Sequence, residues 1–381
     1  MSYIFTPDAE QYLSEHEQEL LSLLETLCKI PAPSNHEELR AAFCKQWLEA
    51  QGASGVYIDE ALNVVFPYCC ENSKQIDVFM AHTDTVFPDL TPMEPKRENG
   101  RLCCPGVGDD TANLAVLLMC AKYVLSRGLT PKNGILFVAN SGEEGLGNLK
   151  GVRRIMQDFA GRVSSLVSFD GGLDSIVTTP VGSTRYRIVV KTEGGHSYAA
   201  FGNKNAIACL SSIIHDFYAQ PIPQNGGRTT YNVGLISGGT SVNTIAQSAE
   251  CLYEYRSDVR ASIETMKEQF DAIISKHREH GIQIELEVLG ERPCMGDVDH
   301  NAHETMIARF SAILERETGH VPTRHSGSTD CNIPLSLGIP AVCFGCYDGD
   351  GAHTREEYIE IASLVPGFRV GLASILTAFK V

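Results

Sequence analysis

The sequence predicts an α/β protein: a mixed, mostly parallel sheet flanked by helices, interrupted by a smaller α+β domain. Three observations carry this expectation. Residues 76–81, 134–140, 166–169 and 339–344 are short runs of β formers, apolar on both faces as strands covered by helices on either side are, and they alternate with stretches of helical spacing. From about Gly182 to about Arg292 the pattern changes: Tyr186, Ile188 and Val190 alternate with Arg185, Arg187 and Lys191, and residues 206–218 and 263–277 each carry one apolar stripe. From about Pro293 the first pattern returns. Residues 1–181 and 294–381 therefore read as one domain, and residues 182–293 as an insertion of one sheet with helices on a single face. A chain of 381 residues also exceeds what one ordinary core accommodates.

Composition excludes several functions. With 31 Lys and Arg against 47 Asp and Glu, the net charge of −16 argues against a nucleic-acid partner and against anionic membranes. No apolar run approaches the roughly 18 residues that suggest a bilayer span. The opening MSYIFTPDAEQYLSEHEQEL has neither the basic nor the apolar region of a signal peptide. Thirteen scattered cysteines, an odd count, read as reduced thiols of a soluble cytoplasmic protein. Cys343 and Cys346 form a CxxC within and just after a strand rather than at a helix start, so a structural role is expected.

In chain order, residues 8–29 and 35–49 have helical spacing on either side of Pro31 and Pro33 and predict two surface helices. The strand at 76–81 stops at His82-Thr83-Asp84. An imidazole at a strand's carboxyl end stands where α/β sheets build sites, and Asp84 can accept its other ring N–H and fix the tautomer. Gly106–Leu118, GVGDDTANLAVLL, sets two carboxylates on a glycine-rich turn before a helical run. Asp109 has two oxygens and could touch two cations about 3.5–4 Å apart. Asp110 before residues 111–118 could equally be a helix cap and nothing more. The strand at 134–140 runs into Glu143-Glu144, where one acid can bind a cation and the other take a proton from an activated water. The next strand ends at Asp170. Repeated delivery of His or acid at strand ends favours a metal site over solvated surface charge. The insertion holds Gly194-Gly195-His196-Ser197, Asn243 and Arg256; its G-x-S-x-A stretch is no nucleophile elbow, because no apolar helix follows directly. The final segment gives a helix over 302–317, a loop at 325–330 ending in Asp330, and His353 at another strand-to-loop exit.

The motifs HTDTV, GDD, GEEGLGNLKG, FDGG, GGHS, SVNTIAQSAECLYEYRS and AHTREEY, in that order from His82 to Glu357, resemble the zinc exopeptidases and deacylases that include peptidase T, carboxypeptidase G, acetylornithine deacetylase and aminoacylase. The resemblance covers most of the chain and is nearest the peptidase T branch. It implies a di-zinc catalytic domain with an inserted lid and dimerisation domain. His82 and Asp170 would bind one ion and Glu144 and His353 the other, with Asp109 bridging and zinc replaceable by cobalt or manganese. Glu143 would be the general base, Asp84 the partner of His82, and the Asp109–Asp110 peptide cis. His196 would reach the substrate carbonyl, across a homodimer, and Asn243, Arg256 and Asp330 would bind substrate. The implied reaction is hydrolysis of an amide in a small peptide, from the amino end; deacylation of N-acyl amino acids or carboxypeptidase action is the alternative, and a peptide binder without catalysis is the alternative of another class. Two departures, Asp110-Thr111-Ala112-Asn113 after the bridging residue and Ser328 in the loop before Asp330, bear on substrate identity.

Overall fold

The computed structural model describes residues 5–145 and 147–379. The chain divides into two compact units, Met1–Pro180 with Gly296–Val381, and Val181–Met295.

In the first unit eight strands form one sheet: β1 (Tyr57–Ile58), β2 (Val64–Tyr68), β3 (Ile76–His82), β4 (Gly134–Asn140), β5 (Val163–Phe169), β6 (Ser175–Pro180), β7 (Thr323–Gly327) and β8 (Ala341–Phe344). Their spatial order is β1-β2-β4-β3-β5-β8-β6-β7. β4, β3, β5 and β8 run parallel, whereas β2 and β6 are antiparallel to their neighbours β4 and β8. The four parallel strands thus end on one rim, and whatever follows their last residues is gathered there.

Packing explains the apolar runs. Phe79 and Ala81 join the main core, while Val78 and Met80, on the opposite face of β3, are buried too. Phe66, Phe137, Phe79, Phe169 and Phe344 form a row across five adjacent strands, with neighbouring ring centroids 5.6–6.5 Å apart. Each such pair adds about 0.5–1.5 kcal/mol beyond burial. A slip of one residue would throw a ring to the wrong face, so the row pins the register. Helix Asn113–Arg127, rich in Leu, Ala and Met, packs against β3 and against helices Glu17–Cys28 and Leu364–Leu376; it ends at Gly128, whose φ of 56° closes the last turn.

The first predicted helix is in fact two, Pro7–Glu15 and Glu17–Cys28. The break falls at His16, whose ring stacks on Tyr12 and whose Nδ1 lies 2.8 Å from the Tyr12 carbonyl oxygen. Nor are these helices superficial, since Leu20, Leu21, Leu24 and Leu27 lie in the core. The expected loop at 325–330 begins as β7, a polar edge strand bonded to β6 alone, which has no apolar alternation to reveal it. A separate antiparallel sheet pairs Gly349–Asp350 with Tyr358–Glu360, then Arg101–Cys103, then Lys96–Glu98. It ties the segment entering Gly106 to the segment carrying His353.

The second unit is built on a four-stranded antiparallel sheet, in the order Thr229–Gly238, Ser248–Ser257, Gly182–Lys191, Gln283–Arg292, with helices Ala206–Ala219 and Arg260–Glu279. One face packs Tyr186, Ile188, Val190, Cys251 and Tyr253 against Leu210, Phe217 and Phe270; Phe270 stacks on Tyr186 at 4.1 Å. Arg185, Arg187 and Lys191 pair across strands with Glu254, Glu250 and Glu285. No helix among the described residues is long and apolar enough to cross a membrane.

Candidate metal centre

At the rim of the parallel strands the donors converge. His82, Asp109, Asp110 and Asp170 form one group whose possible ligand atoms lie within 4.8 Å of one another; Asp109, Glu144 and His353 form a second, and His82, Glu143 and Glu144 a third. Asp109 belongs to the first two. Its Oδ1 is 3.0 Å from His82 Nε2, and its Oδ2 is 3.1 Å from His353 Nε2. His353 Nε2 is also 2.9 Å from Glu144 Oε1. One carboxylate therefore presents each oxygen to a different imidazole.

Each donor is held by its element. His82 ends β3, is 1% exposed, and turns Nδ1 toward the backbone carbonyl of Asp84 at 3.0 Å. The Asp84 carboxylate stands farther from that nitrogen, at 3.5 Å. It accepts instead from Glu143 N at 3.0 Å, Glu144 N at 2.9 Å and Ser34 Oγ at 2.7 Å. Asp84 thus clamps the turn bearing the two glutamates, and both its carbonyl and, farther off, its carboxylate face Nδ1 of His82.

Asp109 follows no strand of the main sheet; it sits on a turn after Arg101–Cys103 in the small sheet. Gly106 has φ 75°, and a Cβ there would lie 2.6 Å from Thr85 Cγ2, while a Cβ on Gly108 would lie 2.6 Å from the Tyr347 ring. The helix begins at Asn113, later than expected, because Asp109 and Asp110 have non-helical backbone. The Asp109–Asp110 peptide is cis. Asp110 caps no helix: its carboxylate accepts from His82 N at 2.8 Å and Asn113 Nδ2 at 2.6 Å, fastening the end of β3 to the turn. Asp170 follows β5, and its N–H donates to the Phe344 carbonyl. His353 sits on the small sheet's hairpin with φ 66°, a conformation uncommon outside glycine.

The electrostatics ask for cations. Burial, then Asp109, holds the Asp170 carboxyl well above its usual range, and burial, then the approach of Asp170 and Asp109, does the same to Asp110. Burial lifts Glu144 to about 7. Burial opposes a charge on His82, but Asp110, Asp109 and Asp84 outweigh it and raise its proton affinity. Hydrogen bonds to Asp109 and Glu144 lift His353 to about 10. Asp109, Asp110, Asp170, Glu143 and Glu144 crowd round two imidazoles, a surplus of carboxyls whose ionised forms divalent cations would neutralise. Oxygen and imidazole donors suit zinc, manganese or cobalt, so the residues present fit two such ions sharing Asp109.

The comparisons with known proteins agree with this geometry. Residues 78–377 match Peptidase family M20/M25/M40. The chain belongs to that family. It is a metal-dependent hydrolase. Among curated relatives, a putative succinyl-diaminopimelate desuccinylase DapE of Mycobacterium tuberculosis is 25% identical over 361 residues, covering 90% of this chain and 94% of the relative. Among solved structures, a tripeptidase from Staphylococcus aureus superposes with TM-score 0.75 at 22% identity, covering 94% of this chain and 98% of that one. The Bacillus subtilis YXEP protein, described as a dinuclear metal binding peptidase of family M20, superposes with TM-score 0.62 at 18% identity over 95% and 99%. At these identities the structural likenesses speak for the fold.

The remaining expected site residues stand as follows. Glu143 and Glu144 are both buried beside His82. Asp330, expected to bind substrate, is 0% exposed and accepts from Asn140 Nδ2 at 2.6 Å. Within the second unit, a short ribbon pairs Gly195–His196 with Thr244–Ile245, and the Asn243 carbonyl accepts from Ser197 N, so His196 and Asn243 are neighbours. Arg256 lies on the central strand Ser248–Ser257 and pairs with Glu254. Sequence reasoning missed Ser34, which follows a proline break without a motif, and the role of Glu357, although that residue lies in the AHTREEY match. Cys343 and Cys346 are buried in the first unit, where Cys343 Sγ donates to the Asp170 carbonyl.

Proposed function

We propose that the protein is a dinuclear aminopeptidase that removes the first residue of di- or tripeptides. The observation that carries this reading is the division of one carboxylate between two imidazoles, Asp109 Oδ1 facing His82 and Oδ2 facing His353. In it, His82 and Asp170 would hold one divalent cation and Glu144 and His353 the other, with Asp109 shared between them and zinc preferred. When bound, such a pair polarises a carbonyl and lowers the pKa of water.

The chain's own residues do the rest. Glu143 takes the proton of the attacking water and returns it to the leaving amine, a service worth about 10²–10⁴-fold. Asp84 fixes where Glu143 and Glu144 stand, because it grips both backbone N–H groups. His196, from this chain or from a second copy, donates to the developing oxyanion, an interaction of a kind worth about 3–4 kcal/mol. Asn243 and Arg256 hold the substrate backbone or carboxylate, and Asp330 supports the site from beneath. The smaller unit serves as lid and as dimerisation surface of a cytoplasmic homodimer. Asp at position 170, the following Gly171-Gly172 and the Arg256-Ser257 pair resemble the peptidase T branch and support amino-end cleavage. A second reading, hydrolysis of N-acyl amino acids, is favoured by the similarity to the desuccinylase.

A mass-spectrometric screen of mixed small peptides and N-acyl amino acids with zinc-loaded protein separates these readings by product. Loss of the amino-terminal residue is expected, and exclusive release of acyl groups would replace the first reading with the second. Glu143→Ala should lower turnover by about 10²–10⁴-fold while leaving metal content intact. Unchanged hydrolysis would remove Glu143 from the mechanism.

A further inference from the structure

The turn that carries Asp109 directs several backbone N–H groups inward. Gly106 is left-handed, so successive amides curl round a concavity of the kind that elsewhere binds anions. Here the anion is internal. Glu357 Oε2 accepts from Gly106 N at 2.6 Å, and Oε1 accepts from Gly108 N and Asp109 N, both at 2.9 Å. The carboxylate comes from a segment about 250 residues away and is 2% exposed. Its backbone takes part as well, since the Glu357 carbonyl accepts from Cys104 N just ahead of the turn. Glu357 also lies four residues beyond His353 and directly before Tyr358–Glu360 of the small sheet.

We infer that Glu357 is the positioning residue of the bridging carboxylate: it fixes the angle at which Asp109 divides its oxygens, and with it the second cation site formed with Glu144 and His353. The inference rests on the dinuclear reading proposed above. The reasoning is geometric. Three N–H groups on one carboxylate leave the turn one orientation, and one of them is the amide of Asp109 itself. The first donor group would survive a loosened turn better, because His82, Asp110 and Asp170 are anchored on the sheet rim and Asp110 is independently bonded to His82 N and Asn113. The second has only Asp109, Glu144 and His353, and the His353 side chain is 56% exposed on its hairpin. Removing the residue that ties the Asp109 turn to the hairpin therefore acts on the second site.

An amide at position 357 cannot accept at both ends, so Glu357→Gln must abandon either Gly106 or the pair Gly108 and Asp109. Calorimetric titration of chelator-treated protein with Mn2+, followed by EPR of the loaded state, reads the outcome. In the parent protein two binding steps and an exchange-coupled Mn2+ pair are expected. In E357Q the first step should persist and the second weaken by about 10–100-fold, the usual cost of losing a partner that orients a ligand, with the coupled signal replaced by that of isolated ions. Glu360→Gln, in the strand that follows Glu357 but paired at the surface with Arg101, should leave both steps unchanged. Equal weakening of both steps with a lowered melting temperature would mean that Glu357 only holds the fold, and two unchanged steps would likewise overturn the inference. If E357Q does not fold, Glu357→Asp, which withdraws the charge by one methylene, carries the same test: selective loss of the second step supports positioning, and an unchanged second step refutes it. A parent protein that takes up a single Mn2+ would overturn the dinuclear reading itself, and this inference with it.

Discussion

The two halves of the centre are built differently. His82, Asp110 and Asp170 stand at the ends of strands or lean on them, and His82 is 1% exposed. His353 rides a hairpin of the small sheet with its side chain 56% exposed, and meets the centre through Asp109 and Glu144. The contrast teaches that one half is set by the core and the other by a few hydrogen bonds, so the first should resist perturbation and the second should register it. An open half is also where a substrate can approach. Asp109 joins the two, and its removal should therefore have the largest effect of any single change. Asp109→Ala is expected to bind at most one cation and to bring hydrolysis to the level of the metal-free protein, read by metal analysis of the purified variant alongside activity. Two tightly bound ions in that variant would dissolve the bridge.

Next in size is the asymmetry between the imidazoles. His82→Ala leaves Asp109, Asp110 and Asp170 facing one another without their buried cationic partner. Breaking a buried charge pair in this way costs about 3–5 kcal/mol, so urea unfolding of the chelated variant should show a loss of that order. His353→Ala removes an exposed partner, and its stability cost should stay below about 1 kcal/mol, although occupancy of the second site falls. Equal stability losses for both variants would erase the distinction drawn between the halves.

Much of the centre was legible in the sequence, because a strand covered on both faces announces itself as an apolar run, and a His or acid at its end is then conspicuous. His82, Glu143, Glu144 and Asp170 follow that rule. Asp109 reads in the sequence as one more strand end on a glycine turn, yet it follows only a three-residue strand of a small polar sheet and no strand of the main one. The polar edge strand β7 lacks the alternation that would distinguish it from a loop, and the kink at His16 is hidden inside continuous helical spacing. Glu357 and Ser34 act through contacts with turns distant in the chain, 248 or more residues away for Glu357 and 50 for Ser34. No local pattern encodes such contacts. For Asp330 the loop is legible in the sequence but its depth is not, since packing buries the side chain fully.

The acids of the centre give a further, smaller test, in which pH plays the part of a mutation. In chelator-treated protein, burial holds Asp170 and Asp110 well above their usual range and Glu144 at about 7. Such groups bind protons more tightly folded than unfolded, so their contribution to stability is complete below about pH 4 and is lost as pH rises through the folded values. His82 and His353, also raised, act in the same direction and lose their contribution at still higher pH. The metal-free protein should therefore melt at progressively lower temperature from about pH 5 to about pH 9, and saturating Zn2+ or Mn2+, which replaces those protons, should remove the decline. A metal-free melting temperature that rises across this range would show that these carboxyls are not crowded together.

The finest probe is Ser34. Its hydroxyl is one of three donors to the Asp84 carboxylate, and it also lies 3.2 Å from the Glu144 carbonyl oxygen. Ser34→Ala leaves the two backbone donors from Glu143 and Glu144 in place, so the clamp should loosen without opening. Losing one hydrogen bond to a charged group costs about 1.5–3 kcal/mol at most, and only the part that displaces Glu143 reaches the rate. Turnover should accordingly fall by about tenfold or less, since each 1.4 kcal/mol of barrier is worth a factor of ten, with metal stoichiometry and KM for small peptides unchanged. A loss as large as that of Glu143→Ala would mean that Ser34 takes part in proton transfer directly. No loss at all would mean that the backbone donors alone suffice to hold the clamp.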